Sequence, residues 1–405
     1  MIARKFYIKQ IEPFIDKPFI KVLTGLRRSG KSSILSLLKD TLVERGIKKE
    51  SIIHVNLESF QFRHLDSDVA IYTYLQTQIH ENERVYILLD EIQEVENWER
   101  AVNAMLVDFN ADIYITGSNS RLLSSELSTY LTGRYVEFHI QTLCFEEFLD
   151  FRKVRGIEDK NQREAFNEFR KYGGFPVLHT MDYVLETAYK IVFDIYSSAI
   201  LRDTVQRNNI RDTELLERIV KFVFDNIGSS ISAKNIADYF KGQQRKIDLN
   251  TIYNYLKALE SSFIVYRIPR YDVKGKEILK TQEKYFVGDI ALVHAMTGLK
   301  DRNTAGILEN IVMLELRRRN YKVYVGKLYT TEIDFIAEKG NEKVYIQVCF
   351  KMEAETTIER EFKPLLKIKD NYPKYVLSLD EEWTDNVEGV KHLHIADFLL
   401  MEKWG

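Results

Sequence analysis

Cysteine, long apolar runs and net charge are what this sequence has least of. Two cysteines in 405 residues, Cys144 and Cys349, lie far apart. They suggest neither a disulfide framework nor a thiolate metal cluster, and they fit a reduced, cytoplasmic setting. No run of about 18 apolar residues occurs, which excludes a membrane-spanning helix. The opening MIARKFYIKQIEPFIDKPF has no sustained apolar core, so no signal peptide is read. With 58 Lys/Arg against 60 Asp/Glu, the formal charge is −2. The whole chain therefore does not advertise nucleic acid or a membrane surface, and any basic surface must be local. Internal repeats and low-complexity segments are also missing. What remains is a globular composition, 45% hydrophobic, long enough for two to four domains at roughly 100–200 residues each.

The chain is organised around Gly25-Leu26-Arg27-Arg28-Ser29-Gly30-Lys31-Ser32, followed by Ser33. An apolar run, residues 19–24, precedes it and a helix-patterned stretch, residues 33–44, follows. Gly25 and Gly30 permit a backbone wrap that brings N–H groups close to an anion. The next helix points its free N–H donors at the same place. Lys31 is placed to reach β- and γ-phosphates, and the Ser32 hydroxyl is a ligand for Mg²⁺. Residues 25–33 are thus a candidate ATP-binding loop.

Strand candidates follow at 19–24, 51–57, 84–90, 112–117 and 135–140. Helical spacing appears at 32–45, 69–79, 98–110 and 120–131. This alternation predicts an α/β fold with a mostly parallel sheet covered on both faces, and ligands at the carboxyl ends of its strands. The strand RVYILLD ends in Asp90 and Glu91. Asp90 would hold Mg²⁺ with Ser32, and Glu91 would orient or deprotonate a water attacking the γ-phosphate. Ser118 and Asn119, after the strand at 112–117, either bond the phosphate or that water, or cap the next helix.

Helices are expected at 145–154, 162–171, 182–205 and 211–227, with a turn at Tyr172-Gly-Gly-Phe-Pro176. Residues 232–284 then give helix, helix and a two-stranded hairpin, the order of a winged helix. This stretch carries eleven Lys/Arg against six Asp/Glu, an excess of five positive charges. Arg245, Lys246, Lys257, Arg270, Lys274 and Lys276 are the candidate contacts to double-stranded DNA. The alternative is a protein-contact or lid module, and Tyr253 and Tyr255 read as core or interface residues. The end of the chain, from a helix at 305–319 through strands at 321–325, 332–337, 343–350 and 374–379, reads as a separate α/β module.

TGLRRSGKS, ILLDEIQ, ITGSNSRLLSSELSTYLTGRY, FEEFL, YGGFP, ILRDTVQRNNIRD and EIDFIAEKGNEKVYIQV occur in an order that spans nearly the whole chain. In this the sequence resembles a prokaryotic family of AAA-type P-loop ATPases with a winged helix and a C-terminal PD-(D/E)XK nuclease-like domain. The resemblance implies a core at 1–155, a helical lid at 156–228, a winged helix at 229–288 and the nuclease-like domain at 289–405. It makes Lys31 and Ser32 the Walker A pair, Asp90 and Glu91 the Walker B pair, and Ser118 or Asn119 the polar sensor. Arg134 matches an arginine that contacts the γ-phosphate; the alternative is a surface ion pair. Arg202 and Arg207 are candidates for a second sensor.

In the nuclease-like domain the resemblance places acids at Glu309 and Asp334. Gln347 and Cys349 stand where the family has an acid and a lysine, and neither can do that work. Lys351, two residues on, is a poor substitute, displaced by about 6–7 Å along a strand. The expectation is an inactive scaffold used for binding or assembly. His392 and His394 alternate as strand residues and are expected to be one surface and one buried. The functional expectation is a Mg²⁺-dependent ATPase; a nucleotide-switched binding protein and an ATP-regulated nuclease are the alternatives.

Overall fold

Short apolar runs buried on both sides pair readily as central parallel strands. Here β1 (Ile20–Thr24), β2 (Ile52–Asn56), β3 (Val85–Asp90), β4 (Ala111–Gly117) and β5 (Tyr135–His139) fall within about a residue of the expected runs. They form a parallel sheet in the order β2-β3-β4-β1-β5. The computed structural model describes residues 2–79, 83–118, 133–158, 161–206, 208–275, 277–300, 304–352, 355–381 and 386–404. The helix expected over 120–131 lies outside them.

Period-2 alternation divides the core into two layers. Ile87 and Leu89 of β3 pack with Ile71 and Leu75 of α3 (Asp68–Gln78) and Val102 and Met105 of α4 (Trp98–Asp108). The intervening Leu88, with Leu23 of β1 and Tyr114 of β4, faces Ile34, Leu35 and Leu38 of α2 (Lys31–Glu44). Tyr7 and Ile11 of α1 (Lys5–Ile11) join that second layer. The sequence reading did not include α1.

The chain divides into two compact units, Met1–Gln141 with Ser261–Phe263, and Thr142–Glu260 with Ile264–Gly405. The second begins with α5 (Phe145–Val154), α6 (Gln162–Tyr172) and α7 (Leu185–Ser198). A π-helical stretch, Ala199–Gln206, continues α7, and α8 (Thr213–Asp225) follows. At the expected glycine turn, Gly173 has φ +68, and a Cβ there would sit 2.1 Å from Asp289 Oδ1. Asp289 accepts a hydrogen bond from Gly174 N at 2.8 Å and caps α11 (Ile290–Thr297) through Ala291 N. In chain order, β6 (Ser230–Ile231), α9 (Ala233–Gly242), α10 (Leu249–Ser261), β7 (Val265–Asp272) and β8 (Glu277–Val287) precede α11.

After α11 come α12 (Thr304–Arg318), β9 (Lys322–Leu328), β10 (Thr331–Lys339), β11 (Glu342–Val348) and α13 (Glu355–Leu366). The chain closes with β12 (Lys374–Ser378), β13 (Asn386–Val387), β14 (Val390–His394) and α14 (Ile395–Leu400). Among the described residues, one nine-stranded sheet has the order β13-β14-β12-β11-β10-β9-β7-β8-β6. Hydrogen bonding therefore crosses the expected boundary at 288/289: β7 pairs in parallel with β9, Arg270 opposite Val325. A β-rich run such as VYRIPRYD does not say which strand lies beside it, so the sequence did not reveal this partner.

His179, fully buried, donates from Nε2 to Gly173 O at 2.9 Å and accepts from Tyr183 at Nδ1, 2.9 Å away. Burial pushes its pKa from 6.5 down to about 4. Below about pH 6.5 the unfolded chain takes up a proton that the folded chain refuses. Stability is thus full above that pH and falls until the folded imidazole titrates. Between about pH 7.5 and about pH 5 this site alone removes about 2 kcal/mol. Urea unfolding at the two pH values measures it, and His179→Gln flattens the dependence.

Candidate functional site

Gly25 leaves β1 with φ +145, and a Cβ there would sit 2.0 Å from Ile140 O, so only glycine fits. Gly30, at φ +97, opens α2. Between them Leu26 and Ser29 are buried, while Arg28 is exposed with a left-handed backbone. Arg27 pairs with Glu58 at 3.1 Å. The Lys31 ammonium is held inside the loop, donating to Gly25 O and Leu26 O, each at 3.2 Å. Among the described residues, the buried Ser29 hydroxyl has no hydrogen-bond partner. An inward lysine, an orphaned hydroxyl and a glycine-lined backbone fit a phosphate. Ser32 and Ser33 are exposed in the first turn of α2.

The parallel register brings the remaining groups to this end of the sheet. Asp90 ends β3 and Glu91 follows it, and both carboxyls are largely buried. Thr116 of β4 donates from Oγ1 to Asp90 Oδ1 and accepts from Glu91 N at 2.9 Å. Burial raises the Asp90 pKa against the hydrogen bonds from Thr116 and Ser32 that favour its charge. A desolvated carboxylate bonded to a hydroxyl is a hard oxygen donor set that suits Mg²⁺. Glu91 has a left-handed backbone, φ 56, which positions it off the strand axis. Its Oε2 accepts from Gln93 Nε2, and its Oε1 lies 3.8 Å from Lys31 Nζ. Ser118, buried, follows Gly117, which pairs with Thr24. It therefore stands level with the start of the loop. Asn119 lies outside the described residues.

Arg134 is not brought to this end. It precedes β5, and its carbonyl accepts from Ile20 N at the amino edge of the sheet. The loop is about five residues, roughly 15 Å, away along β1. Its guanidinium instead donates to Asn103 Oδ1 at 2.8 Å. Contact between Arg134 and a phosphate held by the same chain does not fit this register. Arg207 and the side chain of Arg202 lie outside what is described.

The basic candidates in the second unit are dispersed. Arg245 is neutralised by Asp212 and Glu214. Lys246 and Lys257 are exposed, Arg270 is half-buried, and Lys274 lies 4.9 Å from the Tyr329 ring centroid. Lys276 is outside the described residues. Lys284, counted with the basic surface, is buried instead. Tyr255 is buried as expected, but Tyr253 is 56% exposed. Glu309 and Asp334 are brought together at Lys284. Cys349 is buried, its thiol pKa pushed up by that burial. Lys351 is exposed beyond the end of β11, which stops at Val348, so it shares no strand face with the acids. His392 and His394 are both buried, not one in and one out. His392 bonds Ser378 Oγ through Nε2 at 2.9 Å, and His394 Nδ1 caps α14 by accepting from Ala396 N.

Arg4 is a site residue that the sequence did not signal. Almost fully buried, it donates to Ser29 O at 2.8 Å and Gln141 O at 2.9 Å, clamping the phosphate loop to the segment after β5. The Tyr7 ring lies 4.7 Å beneath it, and the Tyr7 hydroxyl accepts from Gln141 N. Thr116 and Gln93 act similarly on Asp90 and Glu91.

Residues 17–149 match the AAA domain family, and residues 163–303 match a domain of unknown function. An uncharacterized protein of Haemophilus influenzae is 40% identical over 401 residues, covering 99% of each chain. An uncharacterized protein of Methanocaldococcus jannaschii is 31% identical over 421 residues, covering 100% of this chain and 92% of its own. Among solved structures, a Walker-type ATPase of Pyrococcus abyssi superposes with TM-score 0.50 at 16% identity, over 73% of this chain and 96% of its own. That likeness shows the α/β fold.

Replacing Arg4 by Ala leaves two buried carbonyls without their charged donor, each bond being worth about 1.5–3 kcal/mol. The expected result is at least roughly a tenfold weaker grip on a non-hydrolysable ATP analogue, measured by titration calorimetry. Arg4→Lys does not restore it, because one ammonium lacks the fork that spans both carbonyls.

Proposed function

The chain belongs to one family with these bacterial and archaeal relatives, a family built on an AAA domain, and on that premise we propose that it is a Mg²⁺-dependent ATPase. The observation that carries the reading is the convergence of Lys31, Asp90 and Glu91 at one end of the parallel sheet, with Glu91 Oε1 3.8 Å from Lys31 Nζ.

Backbone N–H groups of residues 25–31 cradle the phosphates, and the Lys31 ammonium moves from its carbonyl perches to the β- and γ-oxygens. Ser32 Oγ and Asp90 would hold Mg²⁺. Bound there, that ion would neutralise negative charge on the β- and γ-phosphate oxygens. Glu91, kept in place by Gln93, accepts a proton from the attacking water. The water oxygen bonds to the γ-phosphorus as the bond to the β-γ bridging oxygen breaks, and ADP leaves with the electron pair. Ser118 is placed to orient the γ-phosphate from β4. Arg134, at the far edge of the sheet, has a phosphate to serve only in a second copy of the chain.

For residues 229–288, the order β6, α9, α10, β7, β8 supports the winged-helix reading. One observation favours duplex DNA as its partner. Asn250, Tyr253, Asn254 and Lys257 are all exposed on α10 and follow the i, i+3, i+4, i+7 spacing of a single helix face. Amides that pair with adenine edges, an aromatic ring and a cation are suitable for a major groove. The sequence of α12, β9, β10, β11 and α13, with Glu309 and Asp334, supports a nuclease-like scaffold for residues 289–405.

Steady-state ATP hydrolysis with Mg²⁺, with and without duplex DNA, tests the reading. Turnover disappears in Lys31→Ala, with loss of ATP binding. In Glu91→Gln it falls by at least roughly a hundredfold while ATP still binds. Asn250→Ala with Tyr253→Ala removes stimulation by DNA and spares basal turnover. Tight ATP binding without hydrolysis in the unaltered chain would replace the enzyme by a nucleotide switch, and DNA-indifferent turnover would send the winged helix to a protein partner.

A further inference from the structure

A buried lysine stands at the position where the nuclease-like reading calls for a divalent cation. Lys284 leaves β8 and places its ammonium 3.0 Å from Glu309 Oε2 on α12, 2.9 Å from Glu332 Oε1 and 3.4 Å from Asp334 Oδ1, both on β10. Its side chain is 4% exposed, and those of Glu309 and Asp334 are each 11% exposed. Asp334 falls where the pairing of β10 with β9 shifts register, between Ile333 and Ile336. Such an irregularity re-aims a side chain.

The other groups present do not fit a metal. Gln347, neutral, accepts Asp334 N at 3.1 Å through Oε1 and is hydrogen-bonded to Glu361. The second oxygen of Asp334 is committed to Val348 N at 2.8 Å. Among the described residues, no group of three or more His, Cys, Asp or Glu is arranged to hold an ion. Burial works against the ammonium, but Asp334, Glu309 and Glu332 outweigh it and raise its pKa. Burial and the neighbouring Asp334 push the Glu309 carboxyl up to about 8.

We infer that the resident cation of this acidic site is the Lys284 ammonium itself, and that the site is a metal-free ionic joint fastening the β7–β8 hairpin to α12 and β10. The inference concerns the second unit alone and stands whether or not the chain hydrolyses ATP. Two independent features carry it: three carboxylates converge on one buried ammonium, and the neighbouring Gln347 is spent on hydrogen bonds within the same cluster. It assigns this residue set to mechanical attachment, and metal-dependent strand cleavage to no residue here.

The test uses the full chain without nucleotide. Mn²⁺ titration followed by electron paramagnetic resonance gives superimposable curves for the unaltered chain and Glu309→Gln, since no ion enters the cluster. Lys284→Ala, which strands buried carboxylates, lowers Tm by roughly 5–10 °C. Where that variant yields no soluble chain, Lys284→Met keeps the stem and supplies the comparison, and the Mn²⁺ curves decide independently. An Mn²⁺ equivalent present in the unaltered chain and missing in Glu309→Gln overturns the inference. So does an unchanged Tm on losing the ammonium, or DNA cleavage that Asp334→Ala abolishes.

Discussion

The hydrogen bonds of Thr116 tie two neighbouring parallel strands together at the end where the phosphate loop leaves the sheet. One hydroxyl fixes the Asp90 carboxyl and the Glu91 amide at once, so the acid pair cannot drift relative to β4. The loop inherits the same frame, because β1 lies on the other side of β4. Preorganisation of this kind matters where charge must be met at defined points in a reaction, and it depends on strands that are buried and close-packed on both faces.

Much of this was legible in the sequence. The five strands announce themselves as apolar runs, and the loop carries a glycine, Gly25, where a Cβ would strike backbone. Groups acting through tertiary contact were not legible. Arg4 sits far from the loop in sequence and reads as one charge among many. Thr116 reads as a β-former in an apolar strand, and Gln93 as an ordinary polar residue after DEI. Arg134 shows the converse: a motif places it in a family position, while the parallel register of β5 places it at the opposite edge from the loop.

In the second unit, the charge count treated Lys284 as surface, because a count is blind to burial. Period-2 alternation cannot say which strand lies alongside, so the hairpin and the C-terminal strands were read as separate modules. The structure merges them into one sheet through β7 and β9. Tyr253 reads as a core or interface residue; its angular position on α10, away from Ile252 and Leu256, turns it outward.

The parallel seam between β7 and β9 lies at Arg270–Asp272, beside the turn of the hairpin, and the ionic joint at Lys284 holds the same hairpin farther back. A hairpin attached only at its base would dissipate a load at its turn by swinging. This one is braced sideways by β9 at the turn itself and pinned by a buried charge, so a load at the turn is delivered to the sheet as shear. Stiffness of that sort converts contact at a small patch into a movement shared by a whole layer.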